Sequence, residues 1–240
     1  MSDDGGQELG VTKSKEYETG EWYAEVVQKA GLASYGPDRM GGFIITRPRG
    51  YALWEALKSE LDERFKTTGV DNAYFPLFIP ESFLEREKDV VEGFNPEVAW
   101  VTHGGEEELE ERLAVRPTSE SIIAPYIAQW VRSYRDLPMR LNQWCSVVRW
   151  EATETKPYAN LYEEMLAMPA LRGAKPEHDK FPGADTTTTI ETLMPDGKSV
   201  QAATSHHLGT SFGEAFEITY TDENEGESVC HTTSWGLSWR

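Results

Sequence analysis

Apolar residues recur at every fourth position in Y-A-L-W-E-A-L-K-S-E-L-D-E-R-F-K, which begins at Tyr51: Leu53, Leu57, Leu61 and Phe65 form one stripe. That period predicts an amphipathic helix, ended near Gly69. N-A-Y-F-P-L-F-I-P follows as a nearly continuous apolar run. It predicts a buried strand that Pro76 and Pro80 confine to an edge or an interface. S-E-S-I-I-A-P-Y-I-A-Q-W-V-R-S-Y, up to Tyr134, predicts a second helix with Thr118 or Ser119 as its cap and Pro125 as an interior disruption.

The pattern then changes to runs of period two. N-Q-W-C-S-V-V-R-W-E (142–151) predicts a strand, and Y-A-N-L-Y-E-E-M-L-A-M a short helix stopped by Pro169. T-T-T-I-E-T-L-M and S-V-Q-A-A-T-S-H flank P-D-G-K, where Asp196-Gly197 marks a hairpin turn. A-F-E-I-T-Y-T-D and S-V-C-H-T-T-S-W flank an acidic turn and predict another hairpin. Strands joined by hairpins, with helices kept apart from them, predict an antiparallel α+β domain. Residues 1–12 read as a disordered polar tail and 13–240 as one domain without internal repeats.

Composition narrows the setting. No apolar run approaches the ~20 residues of a membrane span. M-S-D-D-G-G-Q-E lacks the basic and apolar regions of a signal peptide, and two cysteines, Cys145 and Cys230, are too few for a disulfide scaffold. These point to a cytoplasmic protein with reduced thiols. The chain carries 41 acidic against 23 basic residues, a net charge of −18. That balance opposes non-specific nucleic-acid binding and suits a salt-adapted host. Acids cluster in E-E-E-L-E-E (106–111) and D-E-N-E-G-E (222–227), which read as solvated loops or faces.

Three polar clusters carry candidate chemistry. R-P-T-S-E (116–120) sets Thr118 and Glu120 at a helix start. In V-R-W-E, Arg149 and Glu151 share one face if the segment is extended. Alone, that pair reads either as a surface ion pair or as a held guanidinium ready to grip a carboxylate or phosphate. Q-A-A-T-S-H-H (201–207) and T-S-W-G-L-S-W-R (233–240) place His, Thr and Arg on strands of one sheet. Thr204 and His206 share parity, whereas Gln201 needs a bulge to join them. His178, His206, His207 and His231 lack zinc-site spacing, and Cys145 on a Val-rich strand reads as a buried thiol.

In order along the chain, from about Tyr17 to Arg240, the helix and strand at 51–80, R-P-T-S-E, N-Q-W-C-S-V-V-R-W-E, K-F-P-G-A-D-T-T-T-T-I-E-T-L-M-P-D-G-K-S-V-Q-A-A-T-S-H and T-T-S-W-G-L-S-W-R resemble prolyl-tRNA synthetases of the archaeal and eukaryotic type. The resemblance implies the class II synthetase core, an antiparallel sheet flanked by helices. The implied reaction is activation of proline with ATP to prolyl-adenylate, for transfer to tRNA(Pro). By resemblance, Arg149 bridges the proline carboxylate and the ATP α-phosphate, and Glu151 orients the base end of ATP. Thr118 and Glu120 receive the proline ammonium. Gln201 and Thr204 lie near the nucleotide, and His206, Trp235 and Ser238 around the proline ring. Arg240 meets the γ-phosphate, Phe94 is a loop aromatic over the site, Mg2+ bridges the phosphates, and 51–80 is a homodimer surface.

The pattern departs from the family in two places. T-E-T-K-P (153–157) runs directly into Y-A-N-L-Y-E-E-M, so the return strand of motif 2 is expected to be absent, and with it a second phosphate-contacting arginine and one wall of the adenine site. Motif 3 is reached only at Arg240, so the helix and the anticodon-binding domain that follow it in the family lie outside this sequence. The alternative reading is therefore a non-catalytic synthetase-like module that binds proline or ATP, or that dimerises. The charge balance makes its own prediction. Salt shortens the screening length from ~10 Å at ~0.1 M to ~3 Å at ~1 M, so the urea midpoint should rise steadily from ~0.1 M to ~3 M KCl. A flat or falling midpoint would contradict salt adaptation.

Overall fold

Helix α1 (Thr19–Lys29) carries Glu21 in its first turn and Lys29 in its last, as its dipole favours. The computed structural model describes residues 10–36, 44–90, 97–148, 170–193 and 197–238. The predicted tail is tied down at its end, because Thr12 donates to Glu25 from both its backbone N–H and its hydroxyl, at 2.8 Å each. The Lys29 ammonium, helped by the Lys13 and Thr12 N–H groups, lowers the Glu25 carboxyl to about 2. Strands β1 (Ala33–Tyr35) and β2 (Ile44–Thr46) then pair antiparallel.

Helix α2 (Pro48–Thr67) starts three residues before Tyr51, where the predicted helix began, with proline at its first turn. It ends where Gly69 adopts a φ of +78°, the left-handed conformation that glycine accepts without cost. Only Gly50 and Leu57 on it are buried, and Leu53 is 48% exposed. The stripe is thus less internal than its spacing predicts. Phe65 instead joins an aromatic group, 5.9 Å from Trp144 and 4.7 Å from Trp235, with Trp54 also 5.6 Å from Trp144.

The run expected as one buried strand is broken into β3 (Asp71–Asn72) and β4 (Phe78–Pro80). Phe75 and Ile79 are buried, whereas Tyr74, Leu77 and Phe78 face outward. After helix α3 (Glu81–Val90), strands β5 (Trp100–Gly104) and β6 (Glu107–Val115) complete an antiparallel sheet of order β4-β6-β5. The acidic run 106–111 is therefore mostly the solvated face of β6, not a loop.

Helix α4 (Glu120–Trp130) holds Pro125 buried inside it and stops four residues short of the predicted end. Ser119 occupies its cap position without a side-chain cap bond. A 3-10 turn at Tyr134–Asp136 precedes β7 (Leu141–Asn142), which pairs parallel with β3. Of the strand predicted over 142–151, the described part beyond Asn142 has no ladder, only a bond from Val148 N–H to Arg116 O at 2.9 Å. The helix predicted before Pro169 lies outside the described residues.

The second half holds β8 (Ala170–Ala174), β9 (Thr186–Leu193), β10 (Ser199–Gly209), helix α5 (Ser211–Ala215), β11 (Thr219–Thr221), β12 (Glu227–Val229) and β13 (Thr232–Leu237). The predicted β9–β10 hairpin forms; the second is only the short β11–β12 pair, because the expected arm S-V-C-H-T-T-S-W divides and its T-T-S-W part becomes β13, paired with β10 in the main sheet. The main sheet has order β13-β10-β9-β8, antiparallel throughout, so the α+β class holds. One core gathers Ile79, Ala114, Ile122, Leu208, Phe212, Phe216 and Ile218 from both halves. Gly213 lets α5 approach the end of β12, since a Cβ there would lie 2.4 Å from Cys230 O.

Candidate active site

The first half of the site is the turn from β6 into α4. Pro117 cannot extend the ladder, and the chain bends into Thr118-Ser119-Glu120. The Thr118 hydroxyl donates to the Glu120 carboxylate, so it orients that group rather than capping the helix. Both residues are half-buried at the start of α4. Ser119 Oγ accepts from Gln143 Nε2 at 3.2 Å.

Arg116, just before this turn, had no role in the sequence reading. It is 2% exposed. Its Nε donates to Ser146 O at 2.9 Å, and one terminal nitrogen donates to Phe75 O at 2.9 Å, Pro76 O at 3.1 Å and Gln143 Oε1 at 3.4 Å. An Arg-Pro pair at the end of a strand gives no local sign of such burial.

The second half is one face of the main sheet. Between Gln201 and Ala203 the register of β10 against β9 slips: Gln201 opposes Glu191, and Ala203 opposes Ile190. Ala202 is the extra residue of this bulge. The slip brings Gln201 onto the face of Thr204 and His206, as the parity argument required. Thr187 Oγ1 accepts from Phe181 N–H at 3.1 Å and lies 2.9 Å from His206 Nδ1. The Phe181 ring lies 4.6 Å from the His206 ring. Thr187 and Phe181 were missed as site residues, and only the run K-F-P-G-A-D-T-T-T-T pointed to them.

Across the sheet on β13, Ser234 opposes His206 and Gly236 opposes Thr204, so both share the site face. Ser238 has the same parity, and its N–H donates to Ala202 O at 3.3 Å. Trp235 does not join them. It opposes Ser205 on the reverse face, where its ring lies against Phe65 of α2. The alternation of side chains makes this unavoidable for a residue between Ser234 and Gly236. Ile122, two residues after Glu120, and Leu208, two after His206, meet in the common core, which links the two halves.

Arg149, Glu151, Arg240 and Phe94 lie outside the described residues. Cys145 is exposed rather than buried, with Gln143 Nε2 at 3.3 Å from its sulfur; Cys230 is the buried thiol, and desolvation raises its pKa. Among the described residues, no three His, Cys, Asp or Glu side chains converge as a metal site.

No protein-family model matches the chain. It is 42% identical to prolyl-tRNA synthetase from Cryptosporidium parvum in complex with halofuginone and AMPPNP, with a TM-score of 0.87 over 95% of this chain and 53% of that one. The same enzyme in complex with L-proline and AMP gives a TM-score of 0.85 at 38% identity, over 99% and 53%. The fold is therefore that of an aminoacyl-tRNA synthetase. The chain is also 70% identical to the proline–tRNA ligase of Haloarcula marismortui, over 98% of this chain and 55% of that protein. It is 68% identical to that of Halorubrum lacusprofundi, over 100% and 55%. This chain is a homologue of the proline–tRNA ligases, and it spans about half the length of the curated relatives it matches.

The Thr187 bridge is open to test. Thr187→Val keeps the shape but leaves the Phe181 N–H without its acceptor and His206 without its anchor. It should cost about 1–3 kcal/mol in urea unfolding and shift the imidazole 15N resonances of His206. An unchanged tautomer pattern would show that Thr187 does not hold the ring.

Proposed function

We propose that the chain is a proline-activating core of class II type, which joins proline and ATP to prolyl-adenylate for transfer to tRNA(Pro). The observation that carries this reading is the match to proline–tRNA ligases over 98–100% of the chain. The geometry supports it. Glu120, oriented by Thr118, is an anion at a helix start, suited to the secondary ammonium of proline. His206, held by Thr187 beside the Phe181 ring, gives an apolar wall with one polar edge, suited to the pyrrolidine ring. Gln201 and Thr204 lie on the same face for the nucleotide, and Ser238 shares it. In this reading Trp235 packs α2 against the sheet and does not touch proline.

By motif, Arg149 grips the proline carboxylate and the α-phosphate, stabilising charge that develops as the carboxylate attacks phosphorus. Glu151 holds the base end, Arg240 the γ-phosphate, and Phe94 covers the site. Magnesium would arrive with ATP as part of the substrate and would offset the negative charge of its phosphates. The setting is a salt-rich cytoplasm, in keeping with the net charge of −18 and the haloarchaeal relatives. The shortening of motif 2 belongs to this proposal. The Halorubrum match runs over 272 aligned positions against 240 residues here, so at least 32 positions have no counterpart in this chain.

The deciding assay is proline-dependent exchange of labelled pyrophosphate into ATP at molar KCl. The wild type should exchange, Arg149→Ala should not, and Glu120→Gln should raise KM for proline on the order of 10–100-fold, the value of a charge-assisted bond. Calorimetric proline binding without exchange would instead establish the non-catalytic binding module. A folded chain that neither exchanges nor binds proline would end both readings.

The homodimer belongs to the same proposal and rests on the exposed apolar side chains of the 51–80 segment: Tyr51 and Leu53 of α2, and Tyr74, Leu77 and Phe78. Sedimentation equilibrium should give a dimer for the wild type and a monomer for Leu77→Asp/Phe78→Asp. A monomeric wild type would refute it.

A further inference from the structure

Arg116 sits where three segments meet. Its own backbone N–H donates to Leu77 O at 3.0 Å, and its carbonyl accepts from Val148 N–H at 2.9 Å. Its guanidinium reaches the carbonyls of Phe75 and Pro76 on one side and of Ser146 on the other. Gln143 closes the arrangement. Its Oε1 accepts from Phe75 N–H at 2.5 Å and from Arg116, and its Nε2 donates to Ser119 Oγ. None of these Arg116 partners is a carboxylate. A surface ion pair would not need this geometry. A planar fork that must reach several carbonyls at once does.

We infer that Arg116, together with Gln143, is a positioning residue. It sets the gap between the Thr118/Glu120 pair and the segment 143–148 that leads to Arg149. The inference rests on the proline-activation reading for its meaning, because those two places receive the two ends of one amino acid. Its physical content does not depend on that reading. The guanidinium fixes 75–77, 117–119 and 143–148 relative to one another whether or not a ligand is present. Lysine cannot replace it, since a point charge on a flexible stem cannot span carbonyls from two segments.

The experiment has two arms, both at molar KCl with the full chain. In the first, amide hydrogen exchange is followed by mass spectrometry for the wild type, Arg116→Lys and Gln143→Glu. Arg116→Lys should speed exchange at 117–119 and 143–148 about tenfold and leave β9 and β10 unchanged. Gln143→Glu retains an acceptor for Arg116 and Phe75 N–H but reverses the bond to Ser119 and loses the one to Cys145 Sγ, so it should loosen 117–119 and 143–145 and leave 146–148 protected. Unchanged protection in either variant, or uniform acceleration through β9 and β10, would overturn the assignment. If Arg116→Lys does not fold, the Gln143→Glu pattern decides.

The second arm measures pyrophosphate-exchange kinetics. Arg116→Lys should raise KM for proline about tenfold and lower kcat less than about threefold, because the variant must order a loosened seat each time it captures both ends of the ligand. A fall in kcat with unchanged KM is what loss of folded enzyme would give, and it would overturn the positioning role. A wild type without exchange would defeat the proposed function, and the first arm would still decide on Arg116.

Discussion

Burying the Arg116 guanidinium removes a full charge from water, at a cost of several kcal/mol even after relaxation. Backbone and side-chain oxygens from two other segments offset it through charge-assisted bonds. The compensation is complete only when every acceptor is in place. Residues 75–77, 117–119 and 143–148 therefore share one joint arrangement instead of three independent ones. The same constraint explains why the run from Asn72 to Pro80 is not a continuous strand. Phe75 and Pro76 turn their carbonyls to Arg116, so ladder pairing resumes only at Phe78.

The main sheet depends on a different regularity. Alternation assigns each residue of β10 and β13 to a face, and one inserted residue at Ala202 shifts the assignment for Gln201. That single slip collects Gln201, Thr204 and His206 on one side and leaves Ser205 and Trp235 on the other. The reverse face is then free to take α2 through Phe65. Both faces are used, so a change of register in β10 would disturb helix packing and the candidate site together.

The acidic surface is carried by regular structure. In β6, Glu107, Glu108, Glu110, Glu111 and Arg112 face solvent, and Ala114 enters the core. Charge and fold are separable here, since the exposed face can be acidified for solubility and salt tolerance without touching the buried residues.

Periodicity and turn chemistry by themselves determined the α+β class, helix α2, the hairpin β9–β10, the turn between β11 and β12, and the need for a bulge beside Gln201. These follow from local spacing, which a chain carries wherever it packs. The T-S-E, V-R-W-E and T-S-H motifs likewise named the synthetase family. Tertiary structure decided what spacing cannot encode. It packed the Trp235 ring against Phe65 of α2, exposed Leu53 and Cys145, and buried Arg116. Each of those outcomes depends on contacts between residues far apart in sequence, such as Arg116 with Phe75 and Ser146. No local pattern records where a distant carbonyl will stand.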